Sequence, residues 1–160
     1  MRLSLIAVGR LKAGPERALF ERYAKRLADM TRAVGIGGFD FREIEEGRAR
    51  RAEDRQGEEA RAIRAALPQS TLLVLCDERG KTLSSADFAA EIGAARDRGE
   101  TTYALVVGGP DGFEPALRTE ARRLIAFGAM TWPHQLARIM AAEQFYRALT
   151  ILAGHPYHRP

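Results

Sequence analysis

The stretch Tyr103-Ala104-Leu105-Val106-Val107 is apolar throughout and stops abruptly at Gly108-Gly109-Pro110-Asp111-Gly112. No other stretch of the chain limits the fold so tightly. A short apolar run without polar alternation is the pattern of a strand covered on both faces, as strands of parallel sheets are. Parallel neighbours need crossover connections, so helices must lie against the sheet. A strand ending in glycines lets another molecule approach the backbone, because no side chain stands in the way. In open α/β sheets, ligands sit beyond the carboxyl ends of such strands. The cluster is equally compatible with a plain turn, and the motif by itself leaves both readings open.

The rest of the chain repeats the same alternation. Leu3 to Val8 is apolar enough for a first buried strand, and Gly14-Pro15 opens a helix with Glu16 in its first turn. Ala18, Leu19, Tyr23, Leu27 and Met30 form its apolar stripe, and Gly35 to Gly38 break the pattern. Phe39 to Ile44 alternates as a second strand. Glu45 to Leu67 is loop and then helix, with Ala60, Ile63 and Leu67 inward. Ser70 to Cys76 is a third strand, closed by a turn at Asp77-Glu78-Arg79-Gly80-Lys81. Ser84 or Ser85 caps a helix carrying Phe88, Ala89 and Ile92. After the Tyr103 strand come a helix over Glu114 to Arg123 and an apolar run from Leu124 to Trp132. A long helix then spans about His134 to Leu152. Strands alternating with helices imply an α/β fold, a mostly parallel sheet with helices on both faces. With 160 residues and no linker, one domain is expected over residues 1–160.

Composition narrows the setting more than the activity. No apolar run approaches the roughly 18 residues that span a bilayer, and the start lacks a small-residue cleavage site. The single cysteine, Cys76, excludes an intramolecular disulfide and suits a reducing compartment, so a cytoplasmic protein without a membrane partner is expected. Twenty-five basic against 21 acidic residues leave a net charge of +4, which permits a nucleic-acid partner without demanding one. Many arginines lie interleaved with acids between Arg42 and Arg64, which fits a solvated helix face.

Several groups have chemistry to offer. A Walker-type phosphate loop needs a lysine and a hydroxyl residue after its last glycine, and neither follows Gly112. Phe127 to Trp132 carries no charge and is rich in small residues, which suits a core strand or a slot for a flat ring. Glu143 and Arg147 stand one helical turn apart, in the favourable order for an ion pair. Arg138 fits either a surface site or a phosphate contact. The tail, Gly154-His155-Pro156-Tyr157-His158-Arg159-Pro160, holds groups suited to gripping RNA, although chain ends are usually frayed. His155 and His158 lack further metal-ligating neighbours in sequence, so no metal is expected.

Taken together, the motifs are recognisable. Val107-Gly108-Gly109-Pro110-Asp111-Gly112, Met130 through Arg138, Glu143 through Ala148 and the ending His155-Pro156-Tyr157-His158-Arg159 resemble the RlmH family. These are bacterial SPOUT-class methyltransferases that act on 23S ribosomal RNA. Leu5 to Gly9 and Asp77 to Lys81 match as well, so the likeness spans almost the whole chain.

The resemblance implies a SPOUT-type fold with a C-terminal trefoil knot, which periodicity does not reveal because unknotted chains are the default. It implies a homodimer that methylates N3 of a pseudouridine in 23S rRNA with S-adenosyl-L-methionine, on the assembled large subunit or whole ribosome. Carried over by position, the cofactor contacts fall on Cys76, Gly108, Phe127, Gly128, Ala129, Met130, Thr131 and Trp132. Cys76 departs from the family's usual leucine. The strand ends at Cys76, Gly108 and Phe127 are expected to converge into an uncharged cleft. N3 is an imide nitrogen that must lose its proton to attack, which calls for a base or a stabilising cation. Tyr157, His158 and Arg159 are the preferred catalytic candidates, with His134 behind them, and Arg138 and Arg147 are candidates for substrate contact. The competing readings are a ribosome-associated RNA-binding module without catalysis and a nucleotide-binding α/β enzyme. The missing lysine speaks against the latter.

Overall fold

The computed structural model describes residues 1–159. Five strands, β1 (Arg2–Val8), β2 (Phe39–Ile44), β3 (Thr71–Thr82), β4 (Thr102–Val107) and β5 (Arg123–Ala126), form one all-parallel sheet in the order β2-β1-β4-β3-β5. The helices are α1 (Pro15–Met30), α2 (Ala52–Ala66), α3 (Ser85–Asp97), α4 (Pro115–Glu120) and α5 (His134–Leu152).

Alternate side chains of the buried strands serve opposite faces. Leu3, Leu5 and Ala7 of β1 join Tyr103, Leu105 and Val107 of β4 beneath α1, α3 and α5. Ile6, Val8 and Val106 meet α2 and α4 through Ala60, Ile63 and Leu117 on the other side. Each such aliphatic side chain, once out of water, contributes about 1.5–3 kcal/mol. Both expected layers are therefore present.

The four crossovers share one hand. The leftward steps, β1 to β2 and β3 to β4, run through α1 and α3 on one face, and the rightward steps run through α2 and α4 on the other. A single hand is the rule for parallel connections. The chain leaves β3 towards one face and β4 towards the other, so a crevice opens between their carboxyl ends. After β5, at the sheet edge, α5 returns across the sheet to lie against α1 and α3.

Several local expectations differ from the structure, and one open choice is decided. The third strand does not stop at Cys76. Cys76 and Lys81 both pair with Ile125, so residues between them bulge out and the strand resumes to Thr82. The helix after the glycine cluster is shorter, Pro115–Glu120, and β5 ends at Ala126, which leaves Phe127 to Pro133 as loop. In α1 the buried positions are Phe20 and Leu27, whereas Ala18 is exposed. Between Ser84 and Ser85, the cap is Ser84, whose hydroxyl accepts from the Asp87 amide at 3.0 Å.

The bulge depends on glycine at its base. A Cβ on Gly80 would collide with the Ile125 backbone. Gly80→Ala is expected to force β3 and β5 apart and destabilise the fold by about 1–3 kcal/mol or more, read as a lower urea midpoint.

Candidate active site

The crevice is a cleft of about 480 Å³ at the carboxyl ends of β3, β4 and β5. That volume falls within the roughly 300–1,000 Å³ typical of small-molecule sites. Its wall includes Cys76 from β3, Gly108 after β4, and Phe127, Gly128, Met130, Thr131 and Trp132 from the loop after β5. Of the expected cofactor positions only Ala129 is not on the wall, and it is exposed. His134, at the start of α5, also lines the cleft.

Local chemistry explains the shape of each wall. A Cβ on Gly108 would meet the Phe113 ring at 3.0 Å, so the chain turns tightly past that ring only because the residue is glycine. Gly128 has φ +114°, a conformation that lets the loop reverse after β5. The Trp132 indole N–H donates to the Phe127 carbonyl at 3.3 Å and closes that reversal. Met130, Trp132 and Leu136 are the large apolar side chains left exposed among the described residues, and all flank this loop.

The cleft is not free of charge, contrary to expectation. Asp77, Glu78, Arg79, Asp111 and Arg118 also line it. Three of these five charges are neutralised in place. Arg118 Nε donates to Asp77 Oδ2 at 2.7 Å, with the Asp77 side chain almost wholly buried. Arg55 grips both oxygens of Asp111, at 2.7 and 2.9 Å, while Gln56 donates to the Asp111 carbonyl at 2.6 Å. Hydrogen bonding to Arg55 lowers the Asp111 carboxyl pKa. Sequence reading missed Asp77 because an acid in a turn is expected to face solvent, and it missed Arg118 because nothing in the sequence singles it out.

Cys76 is a hydrophobic wall residue rather than a nucleophile. Burial, with a further contribution from the Asp77 charge, pushes its thiol up to about 12. The folded chain thus keeps its proton where an unfolded chain would ionise.

The remaining candidates lie elsewhere. Arg138, expected at the substrate, has no exposed surface. Its Nη1 donates to Glu43 at 2.9 Å, and its Nη2 donates to the Val8 and Gly9 carbonyls at 2.8 and 3.0 Å. Burial lowers its pKa and Glu43 opposes that shift. It offers no donor to a phosphate in this arrangement. Its sequence setting gave no hint, because its partners lie more than a hundred residues or, for Glu43, 95 residues away.

Arg147 pairs with Glu143, as the spacing suggests. Both line a second cavity of about 590 Å³, together with Tyr157. The Tyr157 hydroxyl donates to Glu143 at 3.0 Å, and the Arg147 guanidinium lies 4.8 Å from the Tyr157 ring centre. Burial foremost, then hydrogen bonding, raises the Tyr157 pKa, which disfavours the phenolate. The two cavities share the wall Ala126-Phe127-Gly128. Within one chain, therefore, Tyr157 stands behind the cleft rather than in it, and neither His158 nor Arg159 lines either cavity. The Nδ1 of His158 is buried without a hydrogen-bond partner among the described residues.

Three outcomes follow. In the native state, iodoacetamide should alkylate Cys76 at pH 8.5 about tenfold or more slowly than in urea. Stability contributed by the neutral thiol is complete below the ordinary value of 9.0 and is lost as pH rises towards 12, so the loss should vanish in Cys76→Ala. Arg138→Met leaves the Glu43 carboxylate without its buried partner and should cost about 3–5 kcal/mol in chemical denaturation.

Comparison with known proteins shows the family of the chain. The profile of the family described as "Predicted SPOUT methyltransferase" matches residues 1–158. The chain is 55% identical to a Bradyrhizobium sp. protein named ribosomal RNA large subunit methyltransferase H, covering 99% of this chain and 98% of the other. Proteins of the same name from Nitrobacter hamburgensis and Beijerinckia indica are 55% and 54% identical, with 99% of each chain covered. With the family profile matched from end to end and full-length relatives at more than half identity, the chain belongs to the SPOUT methyltransferases, in their RlmH branch.

Proposed function

We propose that this protein is a ribosomal RNA methyltransferase that uses S-adenosyl-L-methionine to methylate N3 of a pseudouridine in 23S rRNA. It acts as a homodimer on the assembled large subunit or ribosome, and membership of its family carries the expectation of a knotted C-terminal region. The observation that supports the reading best is the cleft at Cys76, Gly108 and the Phe127 to Trp132 loop. Its volume suits a nucleoside-sized ligand, and at Gly108 a Cβ would press on the Phe113 ring that also lines it. The charged residues on its wall are mostly tied up in the Asp77–Arg118 and Asp111–Arg55 pairs, so no strong local field repels a cation.

When bound, the cofactor supplies an electrophilic methyl group. Everything else falls to the chain. Backbone groups at Gly108 and in the Phe127 to Trp132 loop orient the ligand, and Cys76 and Phe113 keep water from its back. Holding donor and acceptor in line provides much of the rate. A proton must also leave N3. His134 is the titratable ring on the cleft wall, with its Nε2 4.0 Å from Glu46. Tyr157, His158 and Arg159 reach the reacting base when the tail of one subunit completes the cleft of the other. That Tyr157 lies behind the cleft in a single chain, while neither His158 nor Arg159 lines it, fits that division of labour. Arg147, held by Glu143, then orients the tail through Tyr157.

A net charge of +4 gives a modest grip on free RNA, so shape recognition on the assembled particle carries part of the binding. Large subunits from a strain lacking the gene should gain one methyl group at the pseudouridine by mass spectrometry, whereas a short isolated hairpin should remain a poor substrate. Deleting Tyr157 to Pro160 should abolish transfer and leave cofactor binding measurable by calorimetry. Gly108→Val should abolish both. Full transfer by the truncated protein would remove the tail from the mechanism, and absence of cofactor heat in the intact protein would favour a binding module instead.

A further inference from the structure

The segment Gly47-Arg48-Ala49-Arg50-Arg51 joins β2 to α2 beside the cleft. Its neighbourhood is rich in acids, which in sequence suggests that its arginines are neutralised locally. The structure arranges the acids differently. Glu59, almost wholly buried, accepts from the Gly47 amide at 2.9 Å. Glu58 accepts from the Arg48 and Ala49 amides at 2.8 and 3.4 Å. Two carboxylates are thus spent on main-chain N–H groups and hold the segment in one shape. Arg55 adds bonds to the Ala49 and Arg50 carbonyls, each at 3.0 Å, while its fork grips Asp111 on the cleft wall. A Cβ on Gly47 would sit 2.7 Å from the Arg55 backbone, so the segment packs directly on α2.

The arginine side chains are left facing water. Arg48 is 85% exposed and shares Glu45 with Arg10, so one carboxylate serves two guanidinium groups. Arg51 meets Glu53 at 3.4 Å with both side chains about three-quarters exposed. Such pairs are worth little and are readily exchanged. Arg50 is exposed, and its carbonyl rather than its guanidinium is engaged. We infer that Arg48, Arg50 and Arg51 form a rigid phosphate-binding arm that docks the RNA backbone next to the cleft. Arginine suits this work because its fork matches phosphate oxygens and its weak hydration lowers the cost of contact. The rigid backbone means that little ordering entropy is lost on binding. Because Arg55 bonds to both the arm and Asp111, a backbone seated on the arm is held in fixed register with the cleft. The inference rests on RNA being the substrate.

The test replaces Arg48, Arg50 and Arg51 together with glutamine and compares a control, Arg22→Gln with Lys25→Gln and Arg26→Gln. The control removes the same charge from exposed positions of α1, on the opposite face of the sheet. Binding to large subunits is followed by co-sedimentation across a salt series, alongside methyl transfer. The arm variant should raise KM about tenfold or more and flatten the salt dependence, by roughly one power of salt concentration for each phosphate that is no longer neutralised. Its kcat and its cofactor affinity should stay unchanged, and the control should match the wild type. Equal KM and salt slope in the arm variant would overturn the arm while leaving the methyl-transfer reading intact. Equal losses in arm and control would reduce the effect to net charge and overturn it as well. Should the wild type transfer no methyl group, the proposed activity falls, and the binding series alone then decides whether the arm holds RNA.

Discussion

A buried guanidinium ties the two ends of this chain together. Arg138 enters from α5 and ends on the Val8 and Gly9 carbonyls, with Glu43 of β2 as its counter-charge. Taking a cation out of water is costly unless its donors are met and its charge is paired. Here both terminal nitrogens of the fork have partners, and only Nε lacks one among the described residues. Glu43 is itself committed, accepting from the Leu11 amide at 2.8 Å. Gly9, with φ +84°, turns the β1 carbonyls towards the guanidinium, and Glu46 and His134 crowd the space where its side chain would be. The interaction fixes where α5 starts. It therefore fixes the loop from Phe127 to Pro133, which has no strand or helix of its own to hold it.

The sheet order supplies the second constraint. Because β4 lies between β1 and β3, and the chain leaves β3 and β4 towards opposite faces, their ends cannot be covered by either connection. The gap is walled instead by the β3 bulge and the glycine turn. Each contributes an acid and each acid is met by an arginine from another element, Arg118 for Asp77 and Arg55 for Asp111. These pairs act as struts. They brace the two walls, and they do so without leaving net charge on either strut.

Most of the architecture was legible because its causes are local. The apolar runs at Leu3, Ser70 and Tyr103 could only be covered strands, and Pro15 and Ser84 mark helix starts by known backbone chemistry. The wall of the cleft was legible through likeness to a family, not through spacing. What stayed hidden depends on contacts between distant residues. Nothing near Asp77 shows that the strand will resume at Lys81, since the partner that keeps it in register is Ile125. Arg138 has the surroundings of an ordinary helix arginine, and its burial is decided by where β1 and β2 end. Phe20 displaced Ala18 from the α1 interface because Phe41 lies across from it, with the ring centres 4.2 Å apart.

The arginines show why a charge total says little about a surface. The net charge of +4 counts Arg138, Arg118 and Arg51 alike. Yet the Arg138 side chain is 0% exposed and that of Arg118 18%, whereas that of Arg51 is 75% exposed. A buried guanidinium paired with a carboxylate adds almost nothing to the field outside, while an exposed one acts across a Debye length of about 8 Å. The same holds for acids: Glu59, spent on the Gly47 amide, no longer offsets an arginine in solvent as its place in the sequence suggests. Counting acids against bases between Arg42 and Arg64 makes that region look balanced. Counting only the exposed side chains leaves five arginines against four acids, and three of the five fall together in the segment Arg48 to Arg51 that Glu58 and Glu59 hold in shape.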